Sequence, residues 1–99
     1  MAYNIVVTTR FRKKLIKLLI YLEREWGKKV ADNFLKKIDR RIQTLSEQPY
    51  IGQSANQDEL SRSILVTKHN RLYYRIKFNE IEILNLFDTR QNPSKNPLK

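Results

Sequence analysis

Apolar and polar positions change period twice along the chain. Ile5, Val6 and Val7 form a short β-branched run that predicts an opening strand over residues 4–8. Thr8 and Thr9 follow as hydroxyls suited to capping a helix. From there the period is helical. At about 100° per residue, Phe11, Leu15, Leu18, Leu19, Leu22 and Trp26 share one arc. Arg10, Lys14, Lys17, Tyr21 and Arg24 share another. Gly27 is placed to end this helix. Residues 28–47 repeat the pattern, with Val30, Phe34, Ile38, Ile42 and Leu45 on one face and Ala31 and Leu35 on its flank. Pro49 and Gly52 punctuate the second helix, and the aperiodic polar stretch 52–60 predicts a loop.

The last third reads as β-structure. Residues 61–67 predict a strand, and Lys68-His69-Asn70-Arg71 a polar turn in which Asn70 tolerates positive φ. Leu72, Tyr74, Ile76 and Phe78 alternate with Tyr73, Arg75 and Lys77, the pattern of a half-buried strand. Asn79-Glu80 is the expected turn before a nearly continuous apolar run, residues 81–87, which fits a strand covered on both faces towards its end. Beyond Asp88 the chain is polar, with Pro93 and Pro97. The order β-α-α-β-β-β predicts an α+β domain of two layers, an antiparallel helical hairpin packed on an antiparallel sheet. Its 99 residues make one domain over 1–90, with 91–99 as a C-terminal tail.

Charge changes this otherwise ordinary picture. Twenty Lys and Arg against ten Asp and Glu give a net charge of +10. Such self-repulsion opposes compaction and points to an anionic partner: nucleic acid, an acidic protein or a membrane surface. The segment from Thr8 to Gln48 holds twelve of the cations and five of the acids, so the helices carry +7 of the +10. There is no cysteine and one histidine, which excludes disulfides and multi-histidine metal sites; no metal and no cofactor are expected. No apolar run is long enough to span a bilayer, and the N-terminal residues lack the basic and apolar regions of a secretory signal, so the expected location is the cytoplasm, away from membranes.

Several local sequences carry a family resemblance. They are Glu25-Trp26-Gly27 closing the first helix, the segment Leu45-Ser46-Glu47-Gln48-Pro49-Tyr50-Ile51-Gly52, Tyr73-Tyr74-Arg75-Ile76 on the third strand, and Ile81-Glu82-Ile83-Leu84 leading to Phe87-Asp88-Thr89-Arg90. In their order and spacing they resemble the RelE/ParE superfamily of type II toxin–antitoxin toxins over residues 1–93. The resemblance implies a toxin held inactive by an acidic antitoxin whose extended or helical segment wraps it. RelE-like members are metal-independent, ribosome-dependent mRNA endoribonucleases; ParE-like members poison DNA gyrase and are not nucleases. A homodimer is compatible with either branch.

RNA cleavage without metal needs an acid, a base and cations over the phosphate. By the resemblance, Arg90 occupies the position of the family's arginine after the last strand, and Arg62 and Arg71 are candidates to join it across the concave sheet face. The tyrosine or histidine that accompanies this arginine in the ribonuclease branch is missing: residues 89–99 contain no Tyr, His or Glu. Asp88 stands where ParE-like sequences often have the histidine of His-x-Arg. The pattern leans towards ParE. His69, the only imidazole, is a candidate acid or base, but turn histidines are usually only solvated. Tyr73 and Tyr74 are adjacent and must face opposite ways, one to the core and one towards a base or partner.

A second candidate site lies on the first helix. Arg10, Lys13, Lys14 and Lys17 form a basic stripe, with Ile16 and Ile20 roughly opposite the core arc where water is expected. A basic stripe beside exposed branched residues fits an acidic, amphipathic antitoxin segment; self-association is the competing use. Arg75, pointing away from the core-facing Tyr74 and Ile76, is a further candidate for a partner's acid. Two other readings remain: a non-enzymatic basic nucleic-acid-binding module, and a toxin-fold relic that only binds its antitoxin.

Overall fold

A computed structural model describes residues 2–55 and 58–88. Strand β1 (Asn4–Val7) leads into helix α1 (Thr9–Trp26), and helix α2 (Lys28–Glu47) follows after the single residue Gly27. A three-residue 3-10 turn (Pro49–Ile51) precedes strands β2 (Gln53–Ala55), β3 (Asp58–Thr67), β4 (Asn70–Lys77) and β5 (Glu80–Asp88). The five strands form one sheet in the order β1-β5-β4-β3-β2. The helical hairpin covers one face, giving the two-layer α+β architecture read from the sequence.

The sheet is mixed, where an antiparallel one was expected. β1 runs parallel to β5, from Asn4 opposite Glu80 to Val7 opposite Ile83. This pairing joins the two ends of the domain, and no local pattern signals it. The expected loop over 52–60 also holds strand: β2 and the start of β3 pair there, with a register shift at Ser54/Ala55.

Thr8 explains how α1 is seated. Its Oγ1 accepts the N–H of Phe11 at 3.1 Å and lies 2.9 and 3.0 Å from the carbonyls of Ile83 and Leu84, to which the hydroxyl donates. Leu84 is the unmatched residue where the β4–β5 register slips, between Tyr73 opposite Asn85 and Tyr74 opposite Ile83. One side chain therefore caps the helix and ties it to an irregular point of the sheet. Thr8→Ala is expected to cost about 1–2 kcal/mol, read as a lower urea midpoint at unchanged slope. At the other end of the hairpin, Gly27 adopts φ +98°, a conformation that strains any residue with a Cβ.

The core is built from Phe11, Phe34, Ile38 and Leu45 of the helices against Val66, Leu72, Tyr74, Ile76, Ile81, Ile83 and Leu86 of the sheet. Three apolar positions assigned to this core by period stay outside it. Trp26 is 67% exposed at the last residue of α1, and Val30 is exposed in the first turn of α2. Helical period fixes a direction but not whether a partner surface reaches that far. Phe78 is fully exposed at 100%, because β4 ends at Lys77 and the chain reverses through Phe78-Asn79 rather than Asn79-Glu80. Its φ of +45° suits the first central residue of a two-residue hairpin of the primed class. Asn70 does not supply the positive φ expected of it; it is the first residue of β4.

Candidate functional site

Two arrangements of charged residues follow from this fold. In the first, the N-terminal half of α1 lies against the end of β5. Arg10, Lys13, Lys14 and Lys17 line a groove of about 870 Å³ together with Thr9, Leu18, Tyr21, Asn70, Leu86 and Asp88. Among the described residues none of these four cations makes an ion pair; the pairs present are Arg24–Glu25 and Lys77–Glu82. Lys14 instead holds its ammonium 4.7 Å from the centre of the Phe87 ring, a cation–π contact of about 0.5–2 kcal/mol. Ile16 and Ile20 are 50% and 58% exposed on the same helix. The helix-1 stripe and its isoleucines thus occupy the outer surface, as the periodicity predicts.

Arg75 does not join this surface. It pairs opposite Glu82 and Ser61, five residues along β4 from Asn70, about 17 Å at the rise of a strand. Its charge acts on Asp58, whose carboxyl is held below the usual range chiefly by the Ser61 hydroxyl and the Leu60 N–H, with Arg75 a smaller contributor.

The second arrangement concerns the expected arginine cluster. Arg62 and Arg71 do not converge. Arg62 stands opposite Tyr74, on the core side of the sheet, whereas Arg71, three residues before Tyr74 on β4, projects from the helix-free face opposite Phe87. Arg62 is bound into the structure: its Nε donates to Glu59 O at 2.7 Å, and one terminal nitrogen donates to Gly52 O at 2.7 Å and Tyr50 O at 3.1 Å. Its guanidinium also lies 4.9 Å from the Tyr50 ring centre. Arg71 donates to Ser63 Oγ at 3.0 Å. Arg90 lies outside the described residues, as does the whole tail 91–99. His69 sits in the two-residue turn between β3 and β4, its N–H bonded to Thr67 Oγ1 at 3.2 Å.

Tyr73 and Tyr74 face opposite ways, as adjacent strand residues must, yet both are buried. Tyr73 packs on Phe87 on the helix-free side, ring centres 6.4 Å apart. Tyr74 is fully buried; its hydroxyl donates to Pro49 O at 2.6 Å and accepts the Gly52 N–H at 3.1 Å. Burial pushes its pKa above the ordinary tyrosine value of 10, against the opposing pull of the Gly52 N–H and Arg62. A raised folded pKa means that neutral Tyr74 contributes its full stability below pH 10 and loses it as pH rises through the folded value. The melting temperature is expected to fall in that alkaline window, and the fall should be smaller in Tyr74→Phe.

Sequence reading passed over Asn70, which lines the groove, and Phe87, against whose ring Lys14 lies. Asn70 was placed only as a turn residue, and Phe87 only as core. Neither carries a local signal, because their roles depend on α1 crossing the end of β5.

A helical hairpin laid on one face of a small sheet is a fold that this chain shares with solved structures of type II toxin–antitoxin proteins. The chain belongs to one family of these: residues 5–93 match the family described as ParE toxin of type II toxin-antitoxin system, parDE. Among solved structures it is similar to the chromosomal ParDE system of P. aeruginosa, at 14% identity and TM-score 0.75, covering 90% of this chain and 98% of that one. It is also similar to the DinJ-YafQ toxin-antitoxin complex of E. coli, at 12% identity and TM-score 0.63, covering 89% and 93%. A third similarity is to the YoeB dimer of Staphylococcus aureus, at 14% identity and TM-score 0.58, covering 88% and 97%. At these identities the structures speak for the fold. No curated protein sequence matches significantly. No helix among the described residues is long and apolar enough to cross a membrane.

Proposed function

We propose that this toxin acts by binding, in the ParE manner with DNA gyrase as its target, and that an acidic antitoxin neutralises it by docking along α1. The observation that carries the first part is the separation of Arg62 and Arg71 onto opposite faces of the sheet. Metal-free RNA cleavage needs cations converging on one phosphate, and Arg62 is engaged by three backbone carbonyls. The match of residues 5–93 to ParE toxins supports the same branch. The second part rests on the groove and on two isoleucines of the same helix: four cations without ion pairs among the described residues, and branched side chains half in water elsewhere on α1. An amphipathic acidic segment satisfies both.

Purified protein incubated with DNA gyrase and supercoiled DNA should trap cleaved DNA–gyrase complexes. The same protein with translating ribosomes should leave the message intact. Cleavage of ribosome-bound mRNA with gyrase unaffected would reverse the assignment.

A further inference from the structure

The groove beside α1 has a feature in its lining that the basic stripe alone does not explain. Asn70 is only 7% exposed. Its Oδ1 accepts from Thr67 Oγ1 at 2.8 Å, but its Nδ2 is buried with no hydrogen-bond partner. A buried N–H donor left without an acceptor carries a full desolvation penalty, and such groups are rare in folded proteins. Asn70 lines the same groove as Arg10, Lys13, Lys14 and Lys17.

The surroundings ask for the same partner. A helix N-terminus is the positive end of its dipole. The first turn of α1 holds no acid to balance it, and its cations stand there instead. Like charges at that end oppose folding until an anion arrives. Leu18 and Leu86 give the groove apolar walls. A buried, unpartnered donor on one lining residue, cations along α1 and apolar side chains among them describe a receptor for an anionic oxygen group on a short aliphatic stem.

We propose that this groove takes the carboxylate of a Glu or Asp side chain from an acidic amphipathic segment of another protein, with Asn70 Nδ2 as its innermost donor. The inference rests on the antitoxin docking stated above and narrows it to one anchoring pocket. A nucleic-acid backbone fits less well. A phosphate chain leaves the exposed Ile16 and Ile20 of the same helix uncovered.

The test uses ¹⁵N-labelled full-length protein and three probes: a helical peptide of Glu and Leu, its Gln-for-Glu counterpart, and a single-stranded oligonucleotide. The Glu peptide should shift the Asn70 side-chain amide resonances and bind about tenfold more tightly than the Gln peptide, as expected for charge-assisted hydrogen bonds. Lys13→Gln with Lys17→Gln, both at exposed positions, should erase most of that preference at unchanged melting temperature. Asn70→Ala should weaken binding severalfold; should it unfold, the amide shift in the unaltered protein decides. Equal affinity for both peptides, or an Asn70 amide unmoved by the Glu peptide, overturns the carboxylate pocket. An Asn70 shift produced by the oligonucleotide alone also overturns it and assigns a phosphate site. Co-purification with an acidic antitoxin separates the two levels. If it binds while the amide stays silent, the pocket fails and the docking stands. If carboxylate binding is seen but no acidic partner exists, the pocket stands and the docking fails.

Discussion

Gly52→Ala is expected to destabilise the protein by about 3 kcal/mol, through overpacking of a site with no slack. The reason is proximity, since Gly52 has an ordinary extended backbone at φ −74°. A Cβ there would run into the hydroxyl of Tyr74 and lie 2.9 Å from the backbone oxygen of Ser63. Retreat is blocked on several sides. The Gly52 N–H is bonded to Tyr74, the same hydroxyl donates to Pro49 O, and Gly52 O accepts from Arg62. Moving the glycine disturbs the whole junction between α2 and the sheet. Urea unfolding should show a much lower midpoint with little change in slope. Combined with Tyr74→Phe, which removes the nearest of the atoms the new methyl meets, the loss in the double variant should be less than the sum of the two separate losses. A Gly52→Ala protein of unchanged stability would mean that the junction is loose.

The second large effect is on binding. Ile16→Asp with Ile20→Asp should leave stability nearly untouched, because both side chains are at least half exposed. Against an acidic amphipathic antitoxin it should weaken affinity by at least two orders of magnitude. Burying the exposed halves of two isoleucines is worth about 1 kcal/mol each, and two carboxylates placed in an acidic interface add repulsion. Isothermal titration against the antitoxin reads the change directly. Retained affinity would move the docking surface off this face of α1. A change in oligomeric state with antitoxin affinity intact would assign the isoleucines to self-association.

The parts of this molecule legible in its sequence are those fixed by local period. The cationic arc of α1, its exposed isoleucines and the Leu72-Tyr74-Ile76 core face follow from residue spacing alone. What could not be read depends on contacts between distant segments. β2 is three residues, Gln-Ser-Ala, with no apolar alternation; it is a strand only because β3 lies beside it. The arginine faces turn on one irregularity. Thr67 pairs with Asn70, and that register continued along the hairpin would set Arg62 opposite Arg75, on the face of Arg71. The shift between Leu65 and Thr67 pairs Arg62 with Tyr74 instead and sends it to the other side. A one-residue change of register exchanges the faces of every side chain beyond it. No feature of Ile64-Leu65-Val66-Thr67 announces the slip, so a three-arginine cluster was a natural expectation that the fold does not build from Arg62 and Arg71.

The central claim is that a binding toxin is released when its acidic partner is absent. Induced expression of this chain alone in bacteria should halt growth with the appearance of gyrase-linked DNA breaks. Co-expression of the acidic antitoxin should restore both growth and intact DNA. Normal growth at high levels of the folded protein, with no DNA breaks, would contradict the account and leave a toxin fold that only binds its antitoxin.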